Sequence, residues 1–386
     1  MDVRAIVVLG APSKTHESIG GLPYALSDVL GKPIAFRIIE KLRDAGVERA
    51  TVITEAPPSA WPTGTAEHGN WQQAAGDDLW RKAEAVFEEY STAGADLVLF
   101  LRLGAYADID FGDLMQFHNG RGSRITAVID ETGERLDIYA ITGSRRNDAA
   151  YLFRHELKEF RQSCNSYLFT GYLNRLTSPH HLRALAVDAL MQRVRIVPEG
   201  KQIRPGVWLG RGAQVHRRAR VLSPAYIGAG SRVRAAAVVT RCSALEHHTV
   251  VDCGTVVENI STLPYTYLGA GLDVSHSVVG RSRVWNLKRN VEVEFSDPRL
   301  IGEASANAPL RALGGFLSLV SFLPAQVLRG VFASSHRECP PSLPDSIATP
   351  AAALEVPAKT KAPAAPAVDA GEFPANLAIA RRYGNE

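Results

Sequence analysis

Two hydrophobic periodicities divide the chain. In the first third, apolar runs alternate with amphipathic stretches. RAIVVLG (4–10), ATVIT (50–54), DLVLFLRLG (96–104) and RITAVID (124–130) are short, apolar and bounded by turn residues, which predicts buried strands. After the first run, Ile34, Phe36, Ile38, Ile39 and Leu42 recur at helical spacing and Gly46 follows as a C-terminal cap, so 34–45 is predicted as a helix. A second helix is predicted near 79–90, carrying Trp80, Phe87 and Tyr90. Strands alternating with helices predict a mostly parallel, doubly wound α/β sheet. The Pro-, Gly- and Trp-rich stretch 56–76 reads as a structural loop, or as a lid or insertion.

The middle third follows a six-residue rule. Val197, Ile203, Leu209, Val215, Val221, Ile227, Val233, Val239, Leu245, Val251, Val257 and Leu263 are all aliphatic. With roughly a third of positions aliphatic, twelve in a row has a chance on the order of one in 10⁵–10⁶. Four residues later the series runs Lys201, Val207, Ala213, Ala219, Ala225, Ser231, Ala237, Ser243, Thr249, Thr255 and Ser261, and after Lys201 every member is small or β-branched. Neither a helix nor a flat strand has this period. A β-helix does: each hexad forms one face, three faces make a coil, aliphatic side chains stack inside and small residues fit the corners. The register slips by one after Leu263 and resumes at Leu268 and Val274, which predicts a bulge at 264–267.

After residue 300 the pattern stops. The stretch 312–328 is uncharged and interrupted by two glycines and Pro324. Leu313, Phe316, Leu317, Val320, Leu323 and Val327 share one helical face, suited to packing on protein or to a membrane surface. From about residue 340 the Pro/Ala-rich composition predicts a disordered tail.

Composition narrows the picture. At 46% hydrophobic, the chain can fill sizeable cores. A net charge of only +3 gives no global nucleic-acid signal. Cys164, Cys242, Cys253 and Cys339 form no CxxC pair, so neither a disulfide framework nor a zinc site is expected. With no recognisable secretory leader at the N-terminus, the expectation is a reduced, cytoplasmic protein.

Three segments carry a family resemblance: DVLGKPI (28–34), DIDFGDLMQFH (108–118) and GYLNRLTSPHHLRAL (171–185). With the hexads behind them, the chain resembles the nucleotide-sugar pyrophosphorylases, NTP:sugar-1-phosphate nucleotidyltransferases, with the mannose-1-phosphate guanylyltransferases most similar. The resemblance covers roughly residues 2–290. It implies a Rossmann-like nucleotidyltransferase domain followed by a left-handed β-helix of about four coils. The implied chemistry is attack of a sugar-phosphate oxygen on the α-phosphate of an NTP. That requires backbone amides, cations and Mg²⁺ held by carboxylates, because negative charge accumulates.

Against the family's G-x-G-T-R loop, the nucleotide-binding candidates are Gly10, Ala11, Ser13 and Lys14, with Lys14 the candidate catalytic cation. Pro12 stands where a glycine is expected; it has no N–H for a phosphate and its φ is fixed. Lys14 keeps the charge of the family's arginine without its bidentate fork. Pro23 matches the proline of the later P-K, but Tyr24 takes the lysine position. The two metal aspartates fall at Gly104 and Arg175, so no metal ligand is carried over, and a guanidinium would repel Mg²⁺. Asp108, Asp110 and Asp137 are the nearby carboxylates available as substitutes.

Outside these motifs, Gly200 to Leu245 holds eight arginines and no acidic residue. Arg217, Arg218, Arg220 and Arg234 fall near one corner of an 18-residue coil, and Arg204 and Arg241 near another. This is an anion patch for a phosphate, a nucleotide-sugar or an acidic polysaccharide, or else a solvated face. His216, His247, His248 and His276 lie in the hexads, where His247 or His248 suits the base of a hexapeptide acyltransferase. Asp252, Glu258 and Asp273 read as outward turn residues, and Cys253 as a coil residue rather than a nucleophile.

The expected organisation is therefore α/β plus all-β. It comprises a nucleotidyltransferase-like domain over 1–190, a β-helix over 195–295, an apolar helix over 305–335 and a tail over 340–386. Three functions are open. The first is a degenerate pyrophosphorylase homologue that binds a nucleotide-sugar or a partner enzyme in surface-polysaccharide precursor supply. The second is an active nucleotidyltransferase, which alone would need Mg²⁺. The third is a hexapeptide acyltransferase. Expected partners are a nucleotide or nucleotide-sugar and further copies of this chain or a related enzyme. A membrane surface is reached only through 312–328, and nucleic acid is not expected.

Overall fold

The computed structural model describes residues 1–10, 18–19, 22–76, 78–144 and 165–304. The 312–328 helix and the 340–386 tail lie outside them. Among the described residues, no helix is long and apolar enough to cross a membrane.

The first strand, β1 (Val3–Leu9), is buried along its whole length. Its alternate residues serve two cores. Val3, Ala5, Val7 and Leu9 meet helix α1 (Ile34–Asp44) on one face, while Ile6 and Val8 meet helix α2 (Asp78–Thr92) on the other. Helices on both faces make the sheet doubly wound, as the alternation predicts. Helix α1 ends where Gly46, at φ +91°, donates its N–H to Arg43 O.

Beside β1 run β2 (Arg49–Thr54), β3 (Asn70–Gln73) and β4 (Leu97–Arg102), all parallel to it through the chain β4-β1-β2-β3. Beyond β4, strand β7 (Arg135–Thr142) pairs antiparallel with it. β6 (Ile125–Ile129) pairs antiparallel with β7, and β8 (Asn165–Leu168) pairs parallel with β6. The order is β8-β6-β7-β4-β1-β2-β3, with only β7 running against the rest. A small ribbon joins β5 (Ala105–Ala107) to β9 (Leu173–Arg175). Helices α3 (Phe111–Gly120) and α4 (Pro179–Leu190) complete the lobe on the α1 face.

The 56–76 stretch is structural. His68 stacks on Phe36 of α1 at 4.0 Å, Trp61 packs on Trp71, and Trp61 Nε1 donates to Ala56 O. It closes the sheet edge with β3, so the lid reading is set aside.

The hexads form a three-sided coil. Strands pair in parallel with partners 18 residues on: Val207 with Ala225 and Ser243 on one side, Val215 with Val233 and Val251 on the second, Val221 with Val239 and Val257 on the third. Inside, Val221, Ile227, Val233, Val239, Leu245, Val251 and Val257 form one buried stack. Ala225, Ser231, Ala237, Ser243, Thr249 and Thr255 are buried at the corners, where the Ser231 hydroxyl bonds Glu246 O at 2.9 Å.

The structure corrects the ends of the series. Val197 and Ile203 are 65% and 47% exposed because the first complete coil begins only at Val207, and Val215, in that end coil, is 37% exposed. The one-residue slip comes earlier than expected. Glu258 still pairs 18 residues back with Thr240, whereas Ser261 pairs 17 back with Ala244, so the residue is lost at the Asn259–Ile260 corner. Leu263 consequently faces the lobe rather than the coil interior.

One coil side is buried twice over. Ala225 and Ile227 point inward, while Tyr226 between them joins the lobe's core with Ala244 and Val278. Lobe and coil belong to one compact unit. Arg183 of α4 fastens it: its guanidinium donates to Cys242 O and Asn259 Oδ1, each at 2.7 Å, and to Ser261 Oγ at 3.3 Å.

Candidate functional site

Parallel strands present their C-terminal ends along one edge, and crevices there are where open α/β sheets bind ligands. Here the edge carries a cleft of about 170 Å³. Gly10 contributes from the end of β1, and Arg102, Leu103 and Gly104 from the end of β4. Arg135, Leu136 and Asp137 contribute from the start of β7, with Arg175 and Thr177 from β9 and beyond. Leu103 N–H donates to Val8 O at 3.0 Å, and Leu176 N–H donates to Gly104 O at 3.2 Å, so these segments are fixed to one another by backbone. A Cβ on Gly10 or Gly104 would meet nothing within 4 Å.

Three motif positions far apart in sequence thus converge: Gly10, Gly104 and Arg175. Ala11, Ser13 and Lys14 lie outside the described residues. Tyr24, at the lysine position, does not line the cleft. It is buried in the lobe core in the turn Tyr24–Leu26, and burial pushes its phenol well above the ordinary range.

The charges of the cleft are paired. Arg175 Nη2 lies 2.8 Å from Asp130 Oδ2 and 2.6 Å from Glu134 Oε2, on the β6–β7 turn. Asp130 is held below the usual carboxylate range, first by the Thr132 hydroxyl bond and also by Arg175. Glu134 is lowered chiefly by its bond to Arg175. Arg102 lies 3.5 Å from Asp137. Mg²⁺ asks for carboxylate and water oxygens without competing cations. Among the described residues, a lining of Arg102, Arg135 and Arg175 with Asp137 as its one carboxylate does not fit that ion.

The other acidic candidates have structural partners. Asp108 pairs with Lys41, and Asp110 caps α3 by accepting from Gly112 N and Asp113 N at 2.9 and 3.2 Å. On the coil, Arg217, Arg218 and Arg220 are exposed near one corner, but Arg234 lies 3.6 Å from Asp252. Arg241 pairs with Glu258 at 2.7 Å, and Arg204 donates to Val221 O at 3.2 Å. His247 pairs with Asp28 of the lobe at 3.0 Å, so it belongs to the lobe–coil junction. Cys242 is a free thiol and Cys253 is disulfide-bonded, which corrects the expectation of an entirely reduced set. Cys253 lies on a partly exposed coil turn, and such bonds persist chiefly in oxidising compartments.

Sequence reasoning missed Arg102 and Arg135. Arg102 was visible as the single charge inside LFLRLG, at the end of a buried strand. Glu246, buried where the lobe meets the coil, was also missed. Its signal was position, as the first acidic residue after the acid-free stretch from Gly200.

No protein-family model matches the chain, and no curated protein matches it in sequence.

Proposed function

We propose that the chain is a non-catalytic relative of the nucleotide-sugar pyrophosphorylases, and that its cleft binds the phosphates of a nucleotide-sugar without a divalent cation. In this reading the lobe is a nucleotidyltransferase-like domain and the coil a left-handed β-helix. The protein serves surface-polysaccharide precursor supply by sensing nucleotide-sugar or by holding a partner enzyme. The observation that carries the reading is the convergence of Gly10, Gly104 and Arg175 in one cleft. They are the positions of the phosphate glycine and of the two metal carboxylates in the motifs the chain resembles. Arg175 is already bonded to Asp130 and Glu134, so a cation site is replaced by an ion-paired guanidinium. Arg102, whose side chain is one-third exposed, supplies a charge-assisted donor toward a phosphate.

Calorimetric titration with GDP-mannose, UDP-glucose, ADP-glucose and dTDP-glucose tests this, each with Mg²⁺ and with EDTA. The expected outcome is saturable binding of one of them, equal in both buffers. Arg102→Gln should weaken it by about tenfold, the worth of one charge-assisted bond. Binding that disappears in EDTA, or no binding of any nucleotide-sugar by folded protein, would sink the proposal.

A further inference from the structure

The lobe–coil junction contains an acid–base cluster outside the cleft. Glu246 sits at a coil corner and is fully buried. Its two carboxylate oxygens accept from Leu30 N and Gly31 N, each at 2.7 Å, and so hold the tip of the 28–33 hairpin against the coil. The fit leaves no slack: a Cβ on Gly31 would lie 2.1 Å from the Tyr226 hydroxyl. The same hairpin carries Asp28, also buried, whose Oδ2 is 3.0 Å from His247 Nε2. His247 Nδ1 lies 3.1 Å from His248 Nδ1, and His248 is exposed and stacked on Tyr265 at 4.8 Å. Asp28 is thus joined through two imidazoles to solvent, with Glu246 buried against the same hairpin tip.

We propose that a proton docks the 28–33 hairpin onto the coil. Held on His247, it offsets the charge of Asp28, and its loss at higher pH leaves Asp28 and Glu246 as two buried carboxylates without a counter-charge, which loosens the hairpin. Burying two like charges without a counter-charge is costly, and a coupled cluster takes up and releases protons as a unit. The surrounding groups do not substitute for it. From α1, Arg37 spends its guanidinium on Val29 O at 2.7 Å and Val197 O at 3.1 Å. Lys32 is held by Glu40 and Glu199 at 2.9 and 2.8 Å. Tyr226, from the neighbouring coil, is un-ionised, its phenol raised by burial. On the solvent side, burial, His247 and Arg232 lower His248, which leaves it neutral and able to accept from His247.

The titration directions agree. Burial is the largest influence on both groups. It raises Glu246, with Asp28 adding to the rise. For His247 it acts downward, but the Asp28 hydrogen bond and charge overcome it, and the net shift is upward. Groups raised on folding contribute stability at low pH and lose it as pH rises through their folded values. Both contributions therefore fade with rising pH.

Hydrogen–deuterium exchange of the full chain across the neutral range, corrected for intrinsic exchange, reads the Leu30 and Gly31 amides directly. In the wild type, protection of the 28–33 peptide should fall by about tenfold per pH unit for each proton released, while β1 and β4 stay unchanged. His247→Gln should show low protection at every pH, like the wild type in alkali. Asp28→Asn removes one buried charge and should keep higher protection than the wild type in alkali, with a shallower slope. Flat protection in the wild type, or a wild-type slope in His247→Gln, would overturn the proposal.

Discussion

Arg183 shows how much rests on single side chains at the junction. It is buried, and burial brings its guanidinium down to about 10, yet it remains charged at neutral pH and bonds to neutral oxygens only. Replacing it with methionine fills the space but strands the Cys242 and Asn259 acceptors. The expected cost is about 3 kcal/mol, read as a lower urea midpoint. At this scale the sequence was partly legible. Counting within motifs singled out Gly104 and Arg175, and the fold brings both to one cleft. The ionic partners were not legible: Asp130 and Glu134 reach Arg175 from a turn some forty residues upstream. Tyr24 failed as a cleft residue because the turn that carries it points into the core.

Elements were more legible than sites, since periodicity is local. Strands β1, β2, β4 and β6, helices α1 and α2, and the hexads fall where their patterns place them. β3 was missed because an edge strand reading NWQQ needs no apolar alternation, and the reversed direction of β7 is a tertiary choice that its pattern does not encode. The early slip at the Asn259–Ile260 corner was hidden because Leu263 extends the aliphatic series by one member while facing the lobe. The coil's stack gives a paired test. Leu245→Ala opens a cavity in a buried layer and should cost about 3 kcal/mol. Val215→Ala obeys the same hexad rule at the exposed first coil and should cost less than about 0.5 kcal/mol. Equal losses in denaturant titrations would contradict the observed start of the coil.

Across the whole molecule, lobe and coil share a core through Tyr226, Ala244 and Val278, so the coil is a structural wall of the lobe as well as a surface. The cleft lies at the C-terminal edge of the sheet, and in the proposed reading Gly104 and the Arg175 guanidinium stand at the positions of the metal-binding carboxylates. The most direct test is ³¹P NMR of the reverse reaction. Folded protein is mixed with Mg²⁺, pyrophosphate and each nucleotide-sugar in turn, including whichever one it binds. The account expects the nucleotide-sugar and pyrophosphate signals to persist unchanged in every tube. Formation of an NTP in any of them, lost in Lys14→Ala, would contradict it and establish an active nucleotidyltransferase.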